Sequence, residues 1–281
     1  GHALGLEHGH ESSGVSNAVM DADRDSMEFS IMTYRSFIGD SVDSYKNEST
    51  GYAQSLMMYD IGALQQMYGA NFSHNSEDSV YRFSTTTGQM SINGVDQGQP
   101  GGNRVFRTIW DGNGIDTYDF SNYITHLFVD LRPGKWSDLD RVGTFQKARL
   151  GTDEYARGHV FNALQFKNDE RSLIENAYGG TGDDHMHGNQ ADNHLNGGAG
   201  SDIIYGYDGN DVISAGEGDD YVSGGRGDDS MDGGAGIDTV GYQHWNGGGQ
   251  YNLQTGLASA QGQYTEEILN FENIKTGGGA D

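Results

Sequence analysis

The chain has 281 residues, of which 41 are acidic and 16 are basic, so its formal net charge at neutral pH is −25. A chain this acidic is not expected to bind nucleic acid or an anionic membrane surface, and it is expected to bind cations. It has 45 Gly, 2 Pro and no Cys, which excludes a disulfide framework, whereas 11% aromatic residues are enough to build a packed core. No stretch approaches the roughly 20 apolar residues of a membrane span, so no membrane insertion is expected.

The N-terminal residues contain two histidines in the spacing H-x-x-G-x-x-H, with His2 and His8 on either side of Gly5. This spacing is the second half of the metzincin zinc motif H-E-x-x-H-x-x-G-x-x-H, in which the glycine breaks a helix and lets the last histidine turn back to the metal. On that pattern, the first histidine and the general-base glutamate would lie before Gly1. Alone, the spacing is a weak signal, and two unrelated surface histidines are the alternative.

Two further features favour the zinc interpretation and complete the first predicted domain, residues 1–70. The segment Ser30–Tyr34 has the sequence SIMTY, and its methionine, Met32, is placed like that of the Met-turn beneath a metzincin zinc ion. The segment Tyr52–Ala70 has apolar residues at helical spacing, which predicts an amphipathic helix. We interpret the methionines of this helix as core residues.

Residues 71–178 alternate short apolar runs with turns, which predicts a β-rich, sandwich-like second segment with strands in SVYRF, VFRTIW, THLFVDLRPG and GHVFNALQF. Inside it, Trp110–Tyr123 resembles a lone half-repeat of Gly and Asp, and we expect a separate calcium loop there. Glu175 could reach the same region. A solvated Asp/Gly turn is the alternative.

Residues 179–241 consist of seven tandem nine-residue repeats without an insertion. The sixth positions are Asp184, Asn193, Asp202, Asp211, Asp220, Asp229 and Asp238. The eighth positions are Met186, Leu195, Ile204, Ile213, Val222, Met231 and Val240. Seven apolar residues in phase predict short strands that point one side chain inward, which argues against the alternative of a disordered Gly/Asp linker.

The repeat predicts a parallel β-roll that binds calcium. Carboxylates at position six and carbonyl oxygens of the turns are the hard ligands that Ca²⁺ prefers. The turn glycines that would supply carbonyls are Gly180, Gly182, Gly198, Gly200, Gly216, Gly218, Gly225, Gly227, Gly234 and Gly236. Two repeats make one turn of the roll, so residues 18 apart should stack. Ala191 and Asn193 depart from the consensus, and a calcium site that uses them should be weaker.

The last segment, residues 242–281, contains strand-like pieces, YNLQTGLASAQG and ILNFENI. It ends in Gly277–Asp281, which has the composition of another Gly/Asp repeat. We expect a further repeat block to follow.

With the histidine pair, Met32, Tyr34, the DGNGIDTYDFS loop, the IENAYGG segment and the repeats in this order, the chain resembles the serralysins, secreted bacterial zinc endopeptidases with an RTX calcium-binding roll. The resemblance implies a mostly β fold: a parallel β-roll plus a β-sandwich-like segment, preceded by the C-terminal part of an α+β metzincin catalytic domain. It also implies a C-terminal secretion signal beyond the segment seen here.

The resemblance also implies roles for individual residues. His2, His8 and Tyr34 would be zinc ligands, Met32 and Gly5 would be structural, and Tyr34 would stabilise the oxyanion in catalysis. The implied calcium ligands upstream of the roll are Asn75, Glu77, Ser79, Asp111, Asn113, Gly114, Asp116 and Glu175. Glu77 replaces a family glycine, which could alter a calcium site, and Gly9 replaces a family proline.

The expected function is that of a secreted, monomeric zinc endopeptidase that acts on protein or peptide substrates, of which this chain is a fragment. Because the first zinc histidine and the general base are missing, the chain as given is expected to lack activity. A non-enzymatic calcium-binding RTX module of an exported adhesin or surface protein is the alternative. Residues 1–70 discriminate between the two, because a zinc site has no role in an adhesin.

Overall fold

The computed structural model describes residues 1–11, 19–242, 249–260 and 264–277. The chain forms two compact units, the first made of Gly1–Gly114 and Pro133–Leu173 and the second of Ile115–Arg132 and Ile174–Asp281. The mostly β fold expected from the sequence is confirmed. Among the residues described, no helix is long and apolar enough to cross a membrane.

The regular elements are short. The α-helix α1 spans Met58–Tyr68, and 3₁₀-helices span His2–Leu4, Gly101–Asn103, Phe166–Asn168 and Glu170–Ser172. The first strands are β1 Val80–Phe83, β2 Met90–Ile92, β3 Val95–Asp96, β4 Arg107–Ile109, β5 Thr117–Asp119, β6 Phe128–Asp130, β7 Trp136–Ser137, β8 Val160–Asn162 and β9 Asn176–Tyr178. They are followed by β10 His185–His187, β11 His194–Ala199, β12 Ile203–Asp208, β13 Val212–Glu217, β14 Tyr221–Arg226, β15 Ser230–Ala235, β16 Thr239–Tyr242, β17 Gly249–Asn252, β18 Leu257–Ala260, β19 Tyr264–Leu269 and β20 Asn273–Thr276.

The predicted helix over residues 52–70 is wrong at its start, because α1 begins only at Met58. The preceding residues lie beside the segment that leads into β4, and the Gln54 backbone N–H donates to the Phe106 carbonyl at 2.8 Å. The first turn of α1 is then held by Asp60, whose Oδ2 accepts the Met57 N–H at 2.9 Å. Hydrogen bonds to a neighbouring segment thus outweigh the helical preference of residues 52–57.

The first unit packs small sheets and α1 around one apolar core. Strands β1, β2 and β3 form an antiparallel meander, and β8 pairs in parallel with β4 and antiparallel with β7. The core residues include Phe29, Met57, Met58, Phe106 and Phe161, all buried. The four predicted strands of residues 71–178 correspond to β1, β4, β6 and β8, of which β6 belongs to the second unit.

The second unit is a parallel β-roll of two sheets. One sheet has the order β17-β18-β19-β15-β13-β11-β9-β5, and the other has the order β20-β16-β14-β12-β10-β6. The predicted stacking of residues 18 apart is confirmed, since Leu195 pairs with Ile213 and Ile213 with Met231. The apolar eighth positions are all buried between the sheets.

The roll extends beyond the repeats at both ends by the same arrangement. The Asp116 N–H donates to Glu175 Oε2 at 2.7 Å, and the Asp238 N–H donates to Glu272 Oε2 at 2.8 Å. Each aspartate carbonyl accepts the N–H of that glutamate and of the following asparagine. The sequences GIDT and then IEN or FEN mark the two copies. The roll therefore begins before residue 179 and continues through β19 and β20.

Candidate metal centres

The aspartates at position six form two hydrogen-bonded columns along the edges of the roll. On each edge, the backbone N–H of one position-six residue donates to Oδ1 of the residue 18 further on. On one edge the bonds are Asp184 to Asp202 at 2.7 Å, Asp202 to Asp220 at 2.7 Å and Asp220 to Asp238 at 2.9 Å. On the other they are Asn193 to Asp211 at 2.8 Å and Asp211 to Asp229 at 2.9 Å. One carboxylate oxygen of each aspartate thus has a structural role.

The second carboxylate oxygen of these aspartates is where a cation fits. Oδ2 is buried and accepts no hydrogen bond within the described ranges in Asp202, Asp211, Asp220, Asp229 and Asp238. Burial, reinforced by neighbouring carboxylates, raises the pKa of Asp202 and Asp211 to about 8 and that of Asp220 and Asp229 to about 6. Buried polar atoms are normally satisfied, so this set of oxygens indicates an ion-binding role. Calcium would supply the missing partner.

The turn glycines bring backbone carbonyls next to the same columns. Gly198 and Gly216 have φ values of 103° and 119°, a region that favours glycine. A Cβ at Gly198 would collide with the Gly180 carbonyl oxygen, and one at Gly216 with the Gly198 carbonyl oxygen. The carbonyls of successive turns are therefore stacked at van der Waals distance from the next turn. Few carboxylates are needed for each ion, because such carbonyls can complete the shell.

The two first members of the columns differ from the rest. Asp184 uses both oxygens within the protein, since Oδ1 accepts the Leu127 N–H at 2.8 Å and Oδ2 accepts the Gly180 N–H at 2.9 Å. The Asn193 amide donates to the Glu175 carbonyl at 2.9 Å and to Asn189 Oδ1 at 3.0 Å. Its own oxygen accepts the Asn189 N–H at 2.8 Å. At these two positions, protein groups bond to the side-chain oxygens that at later positions of the columns would be open to a cation.

The three residues considered for zinc converge in the first unit. His2 Nε2 lies 3.0 Å from His8 Nε2, and the Tyr34 hydroxyl lies 2.8 Å from the same His8 atom. Gly5, with φ of 86°, ends the 3₁₀-helix that carries His2 and lets the chain return towards His8. Met32 is buried, and its sulphur lies against the Gly1 backbone.

The hydrogen bonds of the two imidazole rings favour a cation between their Nε2 atoms. His2 Nδ1 lies 2.9 Å from the Leu6 carbonyl and His8 Nδ1 lies 2.7 Å from the Met32 carbonyl, and a carbonyl only accepts, so both Nδ1 atoms donate. Neutral rings would then direct two Nε2 lone pairs at each other. Two ligands of one tetrahedral zinc ion lie about 3.3 Å apart, and zinc-bound histidines usually donate their other N–H in this way. The residues present therefore fit zinc.

His10 lies near the histidine pair, with its ring centroid 5.9 Å from that of His8 and 4.9 Å from that of Tyr34. Across the described part of the chain, no group of three or more His, Asp or Glu side chains is arranged to hold a metal ion. A zinc ion here would therefore have His2, His8 and Tyr34 as its protein ligands.

Comparison with known proteins agrees with this geometry. Residues 178–213 and 205–240 match the RTX calcium-binding nonapeptide repeat, and residues 70–148 match the peptidase M10 serralysin C-terminal family. In these two regions the chain is similar to the serralysins. Serralysin of Proteus mirabilis is 32% identical over 191 residues, which are 66% of this chain and 33% of that protein. Metalloprotease AprA of Pseudomonas entomophila is 33% identical over 188 residues, and serralysin B of Dickeya chrysanthemi is 33% identical over 196, each match covering 66% of this chain and 34% of the relative.

The chain thus spans about a third of the length of the curated serralysins it matches. The repeat match indicates that the roll binds Ca²⁺. The match over residues 70–148 includes most of the upstream residues that were expected to bind calcium, and the structure divides these residues between the units.

In the first unit, two of the upstream residues contact Tyr81 and others lie next to them. The Tyr81 hydroxyl donates to Asp111 Oδ2 at 2.5 Å and accepts from Asn75 Nδ2 at 3.0 Å. The Ser79 hydroxyl donates to the Glu77 carbonyl at 3.1 Å, and the Asn113 N–H donates to Asp111 Oδ1 at 3.3 Å. Gly114, the last residue of this stretch, has a positive φ of 128°. Asp116 and Glu175 belong to the second unit, where they bond to each other.

Two aspartates that sequence reasoning missed hold the segment Ser30–Tyr34, the predicted Met-turn, in place. Asp60 of α1 accepts the Ser30 hydroxyl at 2.6 Å and the Ile31 N–H at 2.8 Å. Asp25 accepts the Thr33 hydroxyl at 2.6 Å. Burial raises the pKa of Asp60, as expected for a carboxylate that is shielded from water. Their only sequence signal is an acidic residue next to buried apolar positions.

Proposed function

We propose that the chain is part of a secreted bacterial zinc metalloendopeptidase of the serralysin type, which hydrolyses peptide bonds in proteins. The observation that carries the proposal is the convergence of His2 Nε2, His8 Nε2 and the Tyr34 hydroxyl, with both Nδ1 atoms engaged by carbonyls. The similarity to proteins named serralysin and metalloprotease supports it. Bound zinc would polarise a water molecule and the substrate carbonyl.

The residues of this chain would hold and orient the reacting groups. The carbonyls of Leu6 and Met32 would keep the imidazole rings in the tautomer that presents Nε2. Tyr34 is 38% exposed, so its hydroxyl can reach solvent or substrate and donate a hydrogen bond to a developing oxyanion. A general base would have to come from another group, since the 281 residues contain no H-E-x-x-H sequence.

The 281 residues alone are accordingly proposed to be catalytically incomplete. We expect zinc to bind weakly at His2, His8 and Tyr34 without peptide hydrolysis. The roll would serve as a calcium-dependent folding module of the exported protein, because an ion that binds only the native state stabilises it. Calcium-free conditions before export and calcium-rich conditions after it would then control folding.

The experiment compares two polypeptides: these 281 residues, and the same residues extended by whatever the gene encodes upstream of Gly1. We expect the extended protein to hydrolyse casein and to lose that activity with 1,10-phenanthroline or with His8→Ala. The 281 residues alone should be inactive. His74→Ala in the extended protein is the matched control, because His74 is an exposed histidine of the same unit.

A non-enzymatic RTX module is the competing function. Upstream codons without H-E-x directly before Gly1, or an extended protein that binds zinc and leaves casein intact, would favour it. Casein hydrolysis by the 281 residues, purified free of other proteases, would show that they hold a complete active site.

A further inference from the structure

Glu266 is a buried acid of β19 that lies outside the nonapeptide repeats. Its exposed fraction is 1%, and neither carboxylate oxygen has a hydrogen-bond partner at normal geometry in residues 1–11, 19–242, 249–260 or 264–277. Burial raises the pKa of Glu266 to about 8, and the neighbouring Tyr242 hydroxyl opposes that rise. A carboxylate in this position is costly unless a proton or a cation accompanies it.

The register of the roll places Glu266 at position six of a further turn. Ser230 pairs with Glu267, and the Glu267 N–H donates to the Asp229 carbonyl at 2.8 Å, so Glu266 is level with Asp229. Two residues on, Ile268 pairs with Met231 and is buried like the apolar eighth positions. The segment thus follows repeat geometry without the repeat sequence.

A second column of side chains confirms this register. The Asn210 N–H donates to Asp192 Oδ1 at 2.7 Å, the Asp228 N–H to Asn210 Oδ1 at 2.9 Å and the Thr265 N–H to Asp228 Oδ1 at 2.8 Å. Thr265 therefore occupies the fifth position of its turn. The next residue, Glu266, then completes the edge that runs through Asn193, Asp211 and Asp229.

The glutamate on the opposite edge behaves differently. Glu272 follows Asp238 there, and its Oε2 accepts the Asp238 N–H, so it closes the hydrogen-bonded column. Glu266 makes no such bond to the backbone, and the Tyr242 hydroxyl is the protein group beside its buried carboxylate. Asp229, with 2% exposure, also keeps a buried Oδ2 without a partner in the described ranges. Two buried carboxylates at adjacent levels of one edge thus have oxygens without a hydrogen-bond partner at normal geometry in the described ranges.

We propose that Glu266 and Asp229 bind one calcium ion, which adds a site beyond the last nonapeptide of that edge. The inference rests on calcium binding by the roll. Turn carbonyls and water would complete the six to eight oxygen ligands that Ca²⁺ takes. Magnesium fits less well, because it demands a compact octahedron. The competing state is a protonated Glu266 that needs no metal.

The test is the number of calcium ions bound per 281-residue chain. The protein is equilibrated near neutral pH with a saturating concentration of free Ca²⁺, and its calcium is then measured by elemental mass spectrometry. Glu266→Gln should lower the content by one ion per chain. Glu267→Gln is the matched control, because Glu267 is the exposed neighbour on the same strand, and it should leave the content unchanged. Equal content in Glu266→Gln and the unchanged chain would overturn the proposal.

Two further variants keep the result interpretable. Glu266→Asp retains a carboxylate and should keep the ion at lower affinity, which covers the case in which Glu266→Gln does not fold. Tyr242→Phe should keep the ion. If instead all Glu266 variants bind as much calcium as the unchanged chain and are less stable than it in chelator, Glu266 is a protonated acid that binds no metal. If the unchanged chain binds no calcium at all, the assignment of the roll itself fails instead.

Discussion

Asp60 of α1 accepts a hydrogen bond of 2.6 Å from the hydroxyl of Ser30, thirty residues earlier in the chain. The same carboxylate accepts the backbone N–H groups of Ile31 and Met57, so one buried side chain joins the Met-turn to the start of the helix. Met32 follows within this turn, and its carbonyl orients His8. The geometry of the histidine pair therefore depends on a residue that does not touch it.

Replacement of Asp60 by alanine should destabilise the first unit and disturb the proposed zinc site. Three donors, two of them fully buried, would lose their acceptor. Each unsatisfied donor costs about 1–3 kcal/mol, so we expect a loss of at least about 3 kcal/mol in the free energy of unfolding. Urea unfolding followed by tryptophan fluorescence measures it. Asp43→Ala, at an exposed aspartate, should change stability by less than about 0.5 kcal/mol. Equal stabilities of the two variants would contradict the role of Asp60.

Zinc affinity should depend strongly on His8 and less on Tyr34. His8 is the member that contacts both of the others, at 3.0 Å and 2.8 Å. We expect His8→Ala to abolish detectable zinc binding and Tyr34→Phe to weaken it by about tenfold, the scale of losing one weak ligand. Titration of the 281-residue chain with Zn²⁺ against a chromophoric chelator gives the constants. His74→Ala should bind as the unchanged chain does, and parallel losses in all three variants would point to unfolding.

Without calcium, the roll should lose stability as the pH rises. Asp202 and Asp211 have a pKa of about 8 in the folded chain and near 3.8 when unfolded, so between these values the native state binds more protons. The stabilisation by these protons is complete below about pH 4 and is lost as the pH rises towards 8. Deprotonated carboxylates then bind Ca²⁺, so calcium should have its largest effect at the upper end of this range.

Far-ultraviolet circular dichroism at about pH 5 and pH 8, with metal-free buffer or with excess calcium, checks this expectation. We expect β-structure in metal-free buffer to be weaker at the higher pH and to be restored there by calcium. If EGTA leaves the spectrum of the calcium-loaded chain at pH 8 unchanged, the prediction that the roll needs calcium to fold is wrong.

Asn193→Asp should lower the stability of the roll without calcium and make that stability depend more strongly on bound calcium. The substitution replaces an amide that donates to Glu175 and Asn189 by a carboxylate that faces the same oxygens. We expect a loss of about 1–3 kcal/mol in EGTA, most of it recovered in calcium. Thermal unfolding in the two buffers measures the difference. Asn196→Asp, on the partly exposed ninth position, should show no such dependence on calcium, and an equal loss for Asn193→Asp in both buffers would argue against a new ion site.

The roll could be predicted from the sequence because its structural repeat and its sequence repeat have the same period. Every 18 residues the same apolar position returns to the interior, as with Ile204 and Val222. The added turn at β19 and β20 escaped prediction because its spacing differs: Glu267 lies 37 residues after Ser230, and Asn273 lies 34 after Thr239. Pairing across a long insertion leaves no period to detect.

The proposed zinc ligands could be predicted only through a family pattern, and the residues that support them could not. Asp60 reaches Ser30 through tertiary packing, and nothing in the local sequence announces that contact. His10 was also missed, although its ring centroid lies 4.9 Å from that of Tyr34. The start of α1 at Met58 likewise depends on a neighbouring segment that outcompetes helical propensity.

The columns of aspartates couple each turn of the roll to the next, as in a one-dimensional array of repeats. Because each backbone N–H is held by the carboxylate of the following turn, every link depends only on its nearest neighbours. Replacing an interior member such as Asp220 divides one long column into two shorter ones, whereas replacing Glu272, which closes the column, shortens it by one level. The position of a substitution along the axis, more than its chemistry, would then decide how steeply the whole structure responds to calcium.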